Sequence, residues 1–189
     1  MGTTGLTKGI RLRIKRFSGT RILALRWGFT ILFLTLVLQA RAQTSGTQSL
    51  VGRRAPEFVR RDLTGHNLDL ARLHGKVVLL NFWATWCAPC QIEMPMFARW
   101  QEQYGPQQLA VIGISMDDDS EPVRRMIHAQ RIDYPVAMGD ATLGQRYGGV
   151  LGLPLTFLID RNGIVRAKFQ GETDLGKIEA SLRSLLATH

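Results

Sequence analysis

Between Val77 and Trp83 the chain reads Val77-Val78-Leu79-Leu80-Asn81-Phe82-Trp83 and then passes through Ala84-Thr85-Trp86 into Cys87-Ala88-Pro89-Cys90. So continuous an apolar run, of strand length, predicts a strand over Val77–Phe82 that is covered on both faces, which places the chain among folds with helices on either side of a sheet. Past the second cysteine the period changes. Met94, Phe97 and Ala98 recur at spacings of three and four, the signature of a helix. The chain's only two cysteines therefore stand where a strand gives way to a helix. A sulfur at a helix start faces unpaired backbone N–H groups and the positive end of the helix dipole, both of which favour thiolate over thiol. A second sulfur one turn along is placed to attack a mixed disulfide formed by the first. This is the chemistry of a redox dithiol, with Cys87 as the nucleophile and Cys90 as the resolving thiol, and Pro89 stiffens the turn between them.

Other uses of two cysteines fit less well. A structural zinc site takes about four ligands, and His66, His74, His128 and His189 show no ligand-like pairing, the closest two being eight residues apart. No metal site is expected. A purely structural disulfide across two residues closes too small a loop to remove much chain entropy. Two inert buried thiols are the third alternative, against which Trp86 and Pro89 argue for an exposed, stiffened turn. A dithiol cycling between two partners needs no bound cofactor.

Charge is distributed unevenly. The formal net charge is +9 and the pI about 10.4, values that would fit a nucleic-acid or acidic-membrane partner. Eight basic residues, from Lys8 to Arg41, fall within residues 1–42, which contain no acidic residue; the remainder holds 16 basic against 15 acidic. The globular part is thus close to neutral, and a nucleic-acid function has no support there. Residues 1–42 read as an export signal: a basic stretch, the uncharged block Trp27–Leu38, and Ala40-Arg41-Ala42 as a small-x-small cleavage pattern. That block, of about 12 residues, is short beside the ~20 of a spanning helix. The alternative is an uncleaved anchor with its arginines on the cytoplasmic side. Either reading puts the domain outside the cytoplasm, soluble after cleavage near Ala42 or held at the inner membrane, with membrane contact confined to the leader. Residues 43–49, which carry no large apolar side chain, read as a linker. A single domain is expected over 50–187.

Within that domain, Gly65 separates two short extended pieces and predicts a small hairpin ahead of the main sheet. A helix is expected from Ala88 to about Tyr104, with Pro95 inside it, then a second buried strand over Leu109–Ser115. Asp117-Asp118-Asp119-Ser120-Glu121-Pro122 reads as a helix start with Ser120 as its cap, a better account than a metal-binding loop. A short extended segment at Tyr134–Met138 and a short helix from Ala141 to Tyr147 follow. Asn162-Gly163 predicts a hairpin between Leu155–Ile159 and Ile164–Phe169. Leu175–Leu186 closes the chain as an amphipathic helix.

Two segments then carry a family resemblance. Asn81-Phe82-Trp83-Ala84-Thr85-Trp86-Cys87-Ala88-Pro89-Cys90-Gln91-Ile92-Glu93-Met94-Pro95 resembles the active-site segment of the thioredoxin superfamily, and more narrowly its ResA/TlpA type. The narrowing rests on Asn81, where cytosolic thioredoxins carry a buried aspartate, and on Glu93-Met94-Pro95. Gly152-Leu153-Pro154-Leu155-Thr156-Phe157 resembles the family's cis-proline strand. The resemblance implies a thioredoxin-like α/β fold: a mixed central sheet with helices on both faces, an N-terminal β-hairpin extension and a helix–strand insertion after the second core strand. It also implies a cis Pro154 facing the disulfide, Leu153 offering backbone hydrogen bonds to substrate, and Pro95 as a structural proline. Trp86 would shield the site and offer a flat contact to a peptide, plain packing being the alternative. Glu93, three residues past Cys90 and so able to share its helix face, is the nearest sequence-local carboxylate able to take the Cys90 proton once Asn81 replaces an ionisable group; an exposed helix glutamate is the alternative.

The implied function is an extracytoplasmic thiol–disulfide oxidoreductase that reduces client proteins with cysteine pairs. Apocytochrome c and copper-site assembly proteins are example clients, and a transmembrane donor would recharge the dithiol. Two alternatives stay open. One is a thiol peroxidase, whose motif Thr85-x-Cys87 partly mimics, although Asn81 stands where a proline is usual. The other is a copper-binding assembly module, although such modules use a cysteine spacing one residue longer.

Overall fold

The computed structural model describes residues 49–188, so the predicted leader and all of the linker except Ser49 lie outside the described residues. Strands β1 (Val59–Arg61) and β2 (Asn67–Asp69) form the predicted hairpin, and a 3-10 turn follows at Leu70–Leu73. The main sheet contains β3 (Val77–Trp83), β4 (Leu109–Ser115), β5 (Val136–Met138), β6 (Leu155–Ile159) and β7 (Val165–Gln170), in the order β5-β4-β3-β6-β7. Strands β3, β4 and β5 run parallel, while β6 is antiparallel to β3 and β7 to β6. Helices α1 (Ala88–Gln108), α2 (Ser120–Ala129), α3 (Ala141–Arg146) and α4 (Leu175–Ala187) complete the described fold. Among the described residues no helix is long and apolar enough to cross a membrane.

The sheet divides two apolar layers because successive side chains on a strand point to opposite faces. Along β3, Val77, Leu79 and Trp83 enter one layer, where they meet Met94, Phe97 and Trp100 of α1, Val123 of α2, and Ile178 and Leu182 of α4. Val78, Leu80 and Phe82 enter the other, with Phe58 and Leu68 from the hairpin region and Leu143 and Tyr147 at α3. In that second layer the Phe82, Tyr147 and Phe157 rings pack with centroids 5.1–6.2 Å apart. Each such fully buried large side chain contributes roughly 1.5–3 kcal/mol. The thioredoxin-like arrangement, with helices on both faces, the hairpin extension and the α2–β5 insertion, is therefore present.

Two boundaries differ from the sequence reading. Helix α1 continues past Tyr104 to Gln108 although Pro106 lies in its last turn. Strand β4 begins at the next residue, Leu109, with no loop between, so the helix itself carries the chain to the sheet. The cap of α2 is Asp119, whose carboxylate accepts from the Glu121 N–H at 3.0 Å, and Ser120 is the first helical residue. A carboxylate both accepts that bond and complements the helix dipole, an advantage over a hydroxyl.

Both edges of the sheet are covered by the segment that precedes the hairpin and by the hairpin itself. The Gly52 N–H donates to Val165 O and the Val165 N–H to Arg53 O, each at 2.8 Å, alongside β7. At the opposite edge the Leu63 N–H donates to Val136 O at 2.7 Å, where Asp62 bridges to Ala137 on β5. At the β6–β7 hairpin, Gly163 takes φ 78°, the left-handed conformation that the predicted Asn-Gly turn requires.

Candidate active site

The Cys-x-x-Cys turn leaves the sheet at the C-terminal end of β3. Cys87 caps α1 with an extended backbone (φ −91°, ψ 100°), and its sulfur accepts from the Cys90 N–H at 3.3 Å. Pro89 occupies the first turn, where a proline's missing N–H has no helical partner to lose. Cys87 and Cys90 form a disulfide, with sulfurs 1.98 Å and Cα atoms 5.3 Å apart. Cys90 is completely covered and Cys87 is 5% exposed, so of the two cysteines only the first reaches solvent at all.

Asp117 holds the loop in front of the disulfide. Its carboxylate accepts from the Thr85 N–H at 2.9 Å, the Thr85 hydroxyl at 2.5 Å and the Ser115 hydroxyl at 2.8 Å. The loop is tied again by the Gln91 side-chain amide, which donates to Thr85 O at 2.8 Å. The sequence reading missed Asp117 as a site residue by grouping it with the helix start. It lies 32 residues from Thr85 in the chain, and only the parallel β3–β4 pairing, with Trp83 opposite Ser115, brings the two together.

Pro154 reaches the same end of the sheet because it immediately precedes Leu155, which pairs with Phe82 in the antiparallel alignment of β6 on β3. The Leu153–Pro154 peptide bond is cis. Pro154 is buried and its carbonyl accepts from the Gly171 N–H at 2.8 Å; Leu153 is half-buried between the two layers. Trp86 is 71% exposed rather than packed. Ile92 and Leu151, at 67% and 87%, are exposed apolar side chains next to the two motifs that the sequence reading did not single out. No periodic signal marks a residue as exposed at the rim of a site.

Glu93 sits one turn beyond Cys90 and is only 4% exposed, so it is not the solvated helix glutamate of the alternative reading. Burial pushes its carboxyl up from 4.5 to about 7, and the negative charge of Glu172 adds to the rise. Asn81, also buried, donates from its amide nitrogen to Thr156 Oγ1 at 2.9 Å and carries no charge to compete with Glu93. Pro95 lies inside α1, leaving the Gln91 carbonyl without its helical N–H partner while the helix runs on. Among the described residues no group of three or more His, Cys, Asp or Glu side chains converges as a metal ion would require.

A cis-proline at the start of β6 and a Cys-x-x-Cys disulfide at a helix start, at the same end of this sheet, define a thioredoxin-like thiol–disulfide oxidoreductase. Residues 51–168 match the AhpC/TSA family, and the chain belongs to it. It is similar to the thiol-disulfide oxidoreductase ResA of Bacillus thuringiensis subsp. konkukian, with 33% identity over 135 residues covering 71% of this chain and 78% of that protein. ResA of Geobacillus kaustophilus is 34% identical over 142 residues, covering 75% and 82%. Among solved structures, a candidate thiol:disulfide interchange protein DsbE from Chlorobium tepidum superposes with a TM-score of 0.69 at 29% identity, covering 74% of this chain and all of that one.

Proposed function

We propose that this protein works outside the cytoplasm as a reductant of client disulfides, with Cys87 as nucleophile, Cys90 as resolving thiol and Glu93 as the base that serves Cys90. In the reduced enzyme the Cys87 thiolate attacks one sulfur of a client disulfide. A Cys87–client bond forms, the client S–S bond breaks, and the departing client sulfur leaves with the electron pair. Cys90 then loses its proton to the Glu93 carboxylate and attacks the Cys87 sulfur. The Cys87–Cys90 disulfide closes and the second client thiolate departs, so the client gains two electrons that the enzyme has given up. A dithiol donor on the membrane side must return them. Trp86 and the backbone of Leu153 and Pro154 are the surfaces a client chain would meet, with Ile92 and Leu151 extending the apolar rim.

The observation that carries this reading is the buried Glu93 carboxyl, raised to about 7, one helical turn from a resolving cysteine with no solvent exposure. A thiol shut off from water needs a local proton acceptor, and a carboxyl titrating near neutrality is matched to that task. Clients with a Cys-x-x-Cys, such as apocytochrome c, are the substrates we expect, by analogy with the ResA-type relatives. The basic leader and its apolar block support placement outside the cytoplasm. For the thiol peroxidase alternative, Thr85 would have to turn its hydroxyl towards Cys87, whereas that hydroxyl donates to Asp117. Peroxide consumption tests that alternative, and loss of copper binding on mutation of both cysteines tests the copper module.

The experiment is the reduction potential of the Cys87–Cys90 pair, by equilibration with glutathione or dithiothreitol buffers. The expected value lies near or below about −270 mV, the potential of thioredoxin. A value near about −120 mV, at the oxidant end of the scale, would reverse the direction and make the protein a donor of disulfides.

A further inference from the structure

Five buried side-chain polar atoms among the described residues have no hydrogen-bond partner: Asn81 Oδ1, Trp83 Nε1, Glu93 Oε2, Gln130 Oε1 and the Tyr134 hydroxyl. Buried polar groups are nearly always paired, so each such atom calls for an explanation. Trp83 and Tyr134 belong to the same apolar layer as Cys90; Glu93 is buried too, and Tyr134 lies near enough to feel its charge. They converge over Gly113 of β4, where the position a Cβ would take is 3.0 Å from Trp83 Nε1 and 3.3 Å from Tyr134 Cε2. Glycine at 113 is what allows the indole and the phenol to close over the strand. Their chemistry is complementary to the carboxylate. The indole N–H can only donate, the phenol can accept and donate, and Glu93 Oε2, once ionised, can only accept.

We propose that Tyr134 is a positioning residue for Glu93: a bridging water accepts from the Trp83 N–H and the Tyr134 O–H and donates to Glu93 Oε2, and so sets the proton affinity of the carboxyl that serves Cys90. This rests on the reading of Glu93 as the Cys90 base and adds to it a group from a different part of the chain. Tyr134 lies just before β5, in the helix–strand insertion, so the insertion contributes to the redox site. A hydrogen bond donated to a carboxylate favours its charged form. Tyr134 therefore opposes the upward push of burial and keeps Glu93 able to accept a proton near neutrality. The titratable groups that act on Glu93 are Glu172 from the β7–α4 connection and Tyr134, which is itself flanked by Asp133; Cys90 precedes Glu93 by one turn on α1.

The test uses the full-length oxidised protein, in which neither cysteine titrates, and follows the Glu93 carboxyl by carbon NMR as pH is raised. Glu93→Gln identifies the signal by removing it. Tyr134→Phe, with its fold checked by near-ultraviolet circular dichroism, is expected to move the Glu93 midpoint upward by about one pH unit, the size of one lost charge-assisted bond. A midpoint that stays in place overturns the proposal. If Tyr134→Phe does not fold, 3-fluorotyrosine at position 134, a more acidic phenol and stronger donor, should lower the midpoint; no movement there overturns the proposal equally. The reading it rests on is tested apart, in the reduced protein. Loss in Glu93→Gln of the carboxyl-dependent step in the pH profile of cysteine alkylation supports that reading, while an unchanged profile overturns Glu93 as the base whatever Tyr134→Phe has shown.

Discussion

Replacing Glu93 by Gln should stabilise the oxidised protein, and by an amount that grows with pH. In the folded chain the carboxyl titrates at about 7, and its ordinary value is 4.5. Below 4.5 it is protonated in both states, and its burial carries no charge penalty. As pH rises between the two values the unfolded chain releases the proton while the native chain keeps it, so the native state loses stability. Above about 7 the loss is complete. A gap of that size corresponds to roughly 2–3 kcal/mol, allowing for some access of solvent to the carboxyl. Such a term is a large share of the 5–15 kcal/mol typical of a whole domain. The amide keeps the shape without the charge. Urea unfolding of both proteins with the disulfide intact, from pH 4 to pH 8.5, should give curves that coincide at the acid end and separate through the interval, the Glu93→Gln variant being the more stable at pH 8. The carboxylates held low, Asp62, Asp140 and Asp160, act with the opposite sign and at more acid pH, and they cancel in the difference. A difference between the two proteins that stays flat from pH 4.5 to 8 would refute the claim that burial holds Glu93 in its neutral form.

Four further substitutions probe the site and its support. Cys90→Ser should accumulate a mixed disulfide with a client or model peptide, visible on non-reducing gels, whereas Cys87→Ser should form none; the opposite pattern exchanges the two roles. Asp117→Asn removes the charge from the bonds that hold Thr85, and urea unfolding should show a loss of roughly 1–3 kcal/mol. Gly113→Ala drives a methyl against Trp83 and Tyr134 at 3.0 and 3.3 Å in a full layer. The expected cost, read from the same unfolding measurement, is about 1–3 kcal/mol; a neutral result would mean that the two rings can part freely.

The elements were legible because their signals are local. An unbroken run from Val77 to Phe82 has no stable placement except between two layers, and a Cys-x-x-Cys at the change of period locates the helix start. Asn162-Gly163 and the spacing of Ile178 and Leu182 are equally short-range. What escaped was decided across the sheet. Asp117 resembled its acidic neighbours in sequence and became a clamp on Thr85 only when β4 was laid beside β3. Tyr134 read as the beginning of an extended segment, with nothing to show that its hydroxyl would be buried in the layer that holds Cys90. Ser120 lost the cap to Asp119 by one residue, a choice between two good capping groups that composition alone does not decide.

The coverage of both sheet edges by one N-terminal stretch bears on the order in which the domain assembles. The bond from Gly52 to Val165 spans 113 residues, nearly the whole domain. A chain that emerges N-terminus first holds this segment ready long before its partner strand exists. Contacts so distant in sequence form late and slowly. Until β7 has been delivered and the segment has closed on it, that margin of the sheet presents unpaired backbone groups to any neighbouring chain. The interval of greatest exposure to aggregation therefore falls at the end of synthesis, when the last strand and helix have only just arrived.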